Sequence, residues 1–136
     1  MSFTCRDEIE ITGGTEEERH AVAALLLSSP SVDDDSVTRL EQGDSLVMRV
    51  ESVDGLPEDE IAELAAQFPS LSLTLVYFSL DGEFYGYSKT GAAGIVAESE
   101  DFADDTTDIV ARRYDGDRIA FVRDIFSLGR GDRDAS

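Results

Sequence analysis

The sequence is short of the residues from which most reactive sites are built: 136 residues contain one cysteine, one histidine, one lysine and no asparagine. A lone cysteine, Cys5, cannot close an internal disulfide, and its place in an alternating segment makes it a small core residue. The lone histidine, His20, has no second histidine with which to complete a zinc site or a catalytic triad. On a helix after three glutamates it reads as a half-exposed surface residue, and a Cys5–His20 dyad would lack a third, orienting group. Without asparagine there is no N-glycosylation acceptor. No apolar run approaches the ~20 residues needed to span a bilayer. No charged segment followed by an apolar stretch opens the chain, so no secretory signal is expected. The expected location is the cytoplasm.

Positive charge is scarce as well. Thirty Asp and Glu face eleven basic residues, ten of them arginine, for a formal net charge of -19. A surface of that sign repels nucleic acid and anionic membranes, so direct binding to either is excluded as an expectation. The same composition, with arginine in place of lysine and aspartate above glutamate, also suits a salt-loving or high-GC source in which carboxylates keep a protein hydrated. Both explanations of the acidity stay open at this point.

The only lysine, Lys89, sits in DGEFYGYSKTG, a glycine-rich stretch with a Lys-Thr pair that invites a phosphate-loop reading. Such a loop needs GxxxxGK[ST] between a strand and a helix, so that backbone amides and a helix N-terminus point at the anion. Here Gly86 is separated from Lys89 by only Tyr87 and Ser88, and GAAGIVAESE after Thr90 reads as another strand. Spacing and context both exclude the motif. Asp81-Gly82 is instead a two-residue hairpin signal. It sets Phe78 opposite Tyr85, Val76 opposite Tyr87, Lys89 opposite Thr74, and Tyr77 opposite Gly86, where the tyrosine ring covers a bare glycine.

Around that hairpin the chain alternates strands and helices. FTCRDEIEITGG places Phe3, Cys5, Ile9 and Ile11 on one side of a strand that stops at two glycines. Thr15 and Glu18 form a capping box opening a helix with Val22, Leu25, Leu26 and Ser29 at helical spacing, ending before Pro30. Residues 31–44 are polar, held by Val37 and Leu40, and read as a loop with a short strand. DSLVMRVESVDG is a strand closing on Asp54-Gly55, and LPEDEIAELAAQF is a second helix with Pro57 in its first turn and Ile61, Leu64, Ala65 and Phe68 as its buried stripe. In the last third, TDIVARRY and RIAFVRDIF flank Asp115-Gly116-Asp117. The expectation adopted is a second hairpin, the alternative being a helix over Phe102, Ile109 and Arg113 leading to one final strand. Residues 1–128 form one domain, and the polar tail 129–136 is expected to be disordered. Its Arg130-Gly131-Asp132 matches an integrin-recognition tripeptide, too short a match to carry an argument.

This order predicts an α+β fold, a ferredoxin-like sandwich in which an antiparallel sheet carries two helices on one face and an additional C-terminal hairpin. Two stretches add a family. CRDEIEITGG resembles the opening of the YubB-type ferredoxin-like proteins, and the run from Ile61 to Tyr87, with Leu64, Phe68-Pro69, Leu71, Leu73, Tyr77, Gly82, Phe84 and Gly86, is similar to that family's helix, Phe-Pro break and aromatic-glycine hairpin. The resemblance implies a protein carried by plasmids or phages, with no established enzyme chemistry and no catalytic residues to carry over.

No motif for a metal or cofactor is present: Asp115-Gly116-Asp117 is followed by Arg118-Ile119, which breaks the calcium-loop pattern. A carboxylate-pair hydrolase needs two distinguished acids, and here abundance distinguishes none. The expectation is therefore a non-enzymatic acidic interaction protein, a nucleic-acid mimic from a mobile element. Its partner would be the basic surface of a DNA- or RNA-handling host defence complex, which it inhibits. Candidate contacts are Asp33, Asp34, Asp35, Asp101, Asp104, Asp105 and Asp108. The alternative is a salt-adapted ferredoxin-like domain that binds a small ligand around Tyr77, Phe84, Tyr85 and Tyr87, rings that ordinary packing also explains.

Overall fold

A computed structural model describes residues 4–30, 32–53, 56–79, 84–102 and 106–128, with residues 33–42 and 107 described by their backbone alone. Six strands and four helices follow in the order β1 (Thr4–Gly13), α1 (Glu16–Leu27), β2 (Val32–Gln42), β3 (Ser45–Val53), α2 (Glu58–Gln67), β4 (Leu71–Ser79), β5 (Phe84–Gly91), β6 (Gly94–Phe102), α3 (Thr107–Arg113) and α4 (Arg118–Ile125). The strands form one antiparallel sheet in the order β2-β3-β1-β4-β5-β6. The fold class is α+β, as the alternation of strand and helix signals requires.

Strand parity divides the molecule into two cores. Cys5, Ile9 and Ile11 of β1 join Leu46, Met48 and Val50 of β3 and Leu71, Leu73, Leu75 and Tyr77 of β4, and α1 and α2 close over them with Val22, Ala23, Leu26, Ile61, Leu64 and Ala65. Val76 and Phe78 point the other way and, with Tyr85, meet Val110 of α3 and Ile119, Phe121 and Val122 of α4. The sheet thus lies between two helical layers.

Local chemistry explains each boundary. Gly13 and Gly14 take positive φ values of 86° and 59°, a conformation that costs a side-chain-bearing residue strain. The turn they make leads into the Thr15–Glu18 capping box, where both reciprocal bonds form. The α1 stripe differs from the expected one at Leu25, which is exposed, while Ala23 is buried in its place. In α2 the stripe of Ile61, Leu64 and Ala65 is as expected, with Phe68 capping its end. The β4–β5 register pairs Tyr77 with Gly86, Phe78 with Tyr85, Val76 with Tyr87 and Thr74 with Lys89, as the hairpin spacing demands. A Cβ on Gly86 would lie 2.7 Å from the Tyr77 hydroxyl and 2.4 Å from the Ser99 carbonyl oxygen, so the glycine is required by close approach. The turns at Asp81-Gly82 and Asp54-Gly55, Phe3, and the tail with Arg130-Gly131-Asp132 lie outside the described residues.

Two expectations are corrected. Residues 32–42 form a full strand, not a loop with a short one. They pair along β3, with a register shift between Asp33 and Thr38 that takes up the acidic run. The expected C-terminal hairpin is replaced by α3 and α4. Asp115 and Gly116, at φ 52° and 81°, turn the chain between the helices, and the Asp117 side chain caps α4 by accepting from the Ala120 amide at 3.1 Å. The apolar run of RIAFVRDIF suits either period. Helix wins because Ile119, Phe121 and Val122 then share the sheet's second face with Val110.

Candidate functional site

The structure separates the predicted contact residues. Asp33, Asp34 and Asp35 lie on β2 and Asp101 on β6, at opposite edges of the sheet. Five strand spacings, roughly 24 Å, separate these edges. Asp108 is exposed on α3 and pairs with Arg112 at 3.2 Å. Asp104 and Asp105 lie outside the described residues, as do the side chains of Asp33, Asp34 and Asp35. These aspartates are not one patch.

A different group of carboxylates does converge. The first turn of α2 packs beside β6 and sets Glu58, with Asp59 next to it in the chain, near Glu98 and Glu100. The Glu58 carboxyl is raised above the usual range, first by partial burial and then by the negative charges of Glu100, Glu98 and Asp59. The Tyr77 hydroxyl, reaching out over Gly86, donates to Glu100 Oε2 at 2.7 Å. That bond, after burial, raises the Tyr77 phenol well above its ordinary value. Among the described residues no three carboxylate, histidine or cysteine side chains are placed to hold a metal ion. The α2–β6 group is spread negative charge, suited to meeting an extended cationic surface.

Sequence reasoning took the acids of α2 as a helix-start signal and those of β6 as part of a strand; neither reading is wrong. Their meeting depends on β6 lying last in the sheet beneath the start of α2, and no spacing along the chain encodes that. Beside these acids β6 also exposes Ile95, Val96 and Phe102, at 52%, 71% and 78%, three of the seven exposed large apolar residues among those described. The β6 edge is therefore both acidic and apolar.

Carboxylates on the second sheet face are balanced by arginines. Glu8 is fully buried and accepts from Arg123 Nε at 2.6 Å and Arg49 Nε at 3.0 Å. Arg123 also donates to Glu10 at 2.8 Å and to the Leu128 carbonyl at 2.8 Å, and Arg49 reaches Asp117 at 3.3 Å. A cleft of about 440 Å³ beside this network is lined by Arg6, Arg49 and Arg118 together with Glu51, Asp115 and Asp117. Its six charges cancel in formal sign. A second cleft of about 420 Å³ holds Lys89 with Thr12, Ser72 and Thr74.

The remaining candidates take structural places. Cys5 is buried in the first core. His20 is half-exposed on α1, its Nε2 3.9 Å from Glu16. The four rings considered as a ligand face do not share one: Tyr77 and Phe84 pack on the α1/α2 side, Tyr85 and Tyr87 on the α3/α4 side. Adjacent strand residues point to opposite faces, so Phe84 and Tyr85 could never have lined one surface. No family model, curated protein or solved structure matches the chain. Among the described residues no helix is long and apolar enough to cross a membrane.

Proposed function

We propose that this protein is a non-enzymatic, cytoplasmic interaction domain whose carboxylates imitate nucleic-acid phosphates and occupy the basic groove of a DNA- or RNA-handling complex. The observation that carries the reading is the α2–β6 carboxylate group, Glu58, Asp59, Glu98 and Glu100, brought together where the first turn of α2 packs beside β6, with the Glu58 carboxyl raised first by burial and then by its acidic neighbours. Glu98 and Glu100 share one face of β6, opposite Ser88 and Gly86. Same-face carboxylates on a strand repeat about every 6.8 Å, twice the 3.4 Å rise per phosphate along one DNA strand. Asp101 extends the acidic edge on the other face, and Asp33, Asp34 and Asp35 would serve a separate contact across the sheet.

The architecture is part of the proposal. The order β2-β3-β1-β4 with α1 and α2 on one face supports a ferredoxin-like core, to which β5, β6, α3 and α4 are additions. A relationship to the YubB-type proteins of plasmids and phages, and inhibition of a host defence complex, belong to the same reading. One observation favours the salt-adaptation alternative: Glu16 and Glu17 are exposed at the start of α1, outside the α2–β6 group.

The test is competition. Basic DNA- and RNA-binding proteins are each loaded with a fluorescent oligonucleotide, and its displacement is followed by anisotropy. The wild type should displace it from at least one, with affinity falling steeply as salt rises, and the E58Q/D59N/E98Q/E100Q variant should lose at least tenfold. Equal displacement by the variant would contradict this reading.

A further inference from the structure

We infer that the free edge of β6 receives an extended, basic segment of the partner as a seventh strand; the inference rests on the acidic-docking reading above and specifies its geometry. β6 is hydrogen-bonded to β5 along one side and is last in the sheet, so its outer backbone groups have no strand partner among the described residues. Unpaired strand edges template further pairing, and proteins usually blunt them with proline, lysine, bulges or short length. The nine residues GIVAESEDF contain neither proline nor lysine. The one bulge of β6, which leaves Val96 without a cross-strand partner between Ile95 and Ala97, lies near the start of the strand, and Ala97 to Phe102 run in regular register with Lys89 to Phe84.

What this edge accepts follows from its side chains. Glu98 and Glu100 lie on the α2 side with Phe102 next along the same face, and Phe102 is 78% exposed with its ring 6.4 Å from Phe84. Asp101 projects from the opposite face, with Tyr85 as its cross-strand partner. A second copy of this chain would bring carboxylates against carboxylates, which disfavours edge-to-edge self-pairing. A strand with Lys or Arg at alternate positions answers Glu98 and Glu100, and an apolar residue two positions further covers Phe102. Main-chain bonds then supply affinity and the alternating side chains supply selectivity, the usual logic of strand addition. Tyr77, by donating to Glu100 at 2.7 Å, positions one carboxylate of the pair.

The probes are two synthetic nine-residue peptides of equal charge, one alternating lysine and valine, the other alternating Nα-methyl-lysine and proline, which cannot donate along a ladder. Backbone hydrogen exchange of the full chain is measured with each. The lysine–valine peptide should slow the outward amides within residues 94–102 at least tenfold, and the lysine–proline peptide should not. If both bind alike without protecting β6, strand addition is overturned while acidic docking stands. If neither binds at low salt, both fail. Protection at β2 instead of β6 also overturns the inference. The E98K/E100K variant supplies an independent check: it should lose the lysine–valine peptide and gain its glutamate–valine counterpart, and an unchanged preference contradicts the assignment.

Discussion

Asp7 and Glu8 are neighbours on β1, both fully buried, and the two faces of the sheet treat them in opposite ways. Glu8 points toward α4 and meets two guanidiniums, Arg49 and Arg123. Asp7 points into the α1/α2 layer, between Val50 and Tyr77 in register, and neither of its oxygens closes a well-formed hydrogen bond, the Ser52 hydroxyl standing near but out of line. Burial pushes the Asp7 carboxyl up to about 8, with the Ser52 hydroxyl opposing and the charge of Glu51 adding to the rise. One face keeps an acid by supplying counter-charge, and the other keeps it by leaving it protonated. A fold with a net charge of -19 thus sets Arg49 and Arg123 against one of these two buried carboxylates and leaves the other without counter-charge.

The largest effect should come from breaking the paired side. Arg123→Ala removes the guanidinium from which Glu8 and Glu10 both accept, and strips a donor from the Leu128 carbonyl. Removing one member of a buried ion pair costs about 3–5 kcal/mol, which urea unfolding will read. A loss below about 1 kcal/mol would mean the network is incidental.

Changing the unpaired side alters pH dependence. The folded Asp7 carboxyl is raised to about 8, whereas an unfolded aspartate titrates near its ordinary 3.8. The unfolded chain therefore loses this proton first, and stability falls as pH rises from about 4 to about 8, then levels off. Asp7→Asn should remove that slope and be the more stable protein at pH 8 by an amount on the order of a few kcal/mol. Thermal melts of the two proteins between pH 4 and pH 9 give the comparison, and parallel curves would show that Asp7 ionises freely in the fold.

The smallest effect sharpens the contrast within the paired side. Arg49 is 37% exposed and Arg123 only 2%, so Arg49→Ala should cost about 1 kcal/mol, water screening its pairs with Glu8 and Asp117. Equal losses for the two arginines would show that burial does not set their ranking.

Period and turn chemistry made much of the sheet legible from sequence. The β4–β5 register followed from Asp81-Gly82, and α1 from Thr15 and Glu18. What escaped depended on the second helical layer. Arg6, Glu8 and Glu10 alternate with Cys5, Ile9 and Ile11 as a solvent-facing row would, and of the three only Glu8 becomes fully buried, where α4 covers that face. With RIAFVRDIF read as a strand, there was nothing to cover Glu8 and no role for Arg123. Asp7, breaking the apolar row, was the one visible sign of an unusual position. Of the candidate contacts, acidity was legible as composition, but its focus at α2 and β6 came from sheet order. The aspartate triplet drew notice because it is contiguous in sequence, which has no bearing on clustering in space.

The central claim is that the surplus carboxylates form a docking surface on a fold that holds together without screening. Circular-dichroism melts in KCl from about 0.1 M to about 3 M test it directly, because the Debye length shrinks from ~10 Å at 0.1 M to ~3 Å at 1 M. The account predicts cooperative folding already at the lowest salt, with only a modest rise in Tm above it, since both cores and the Glu8–Arg123 pair are internal. A chain that folds only near molar salt would contradict it and assign the acidity to a salt-rich interior.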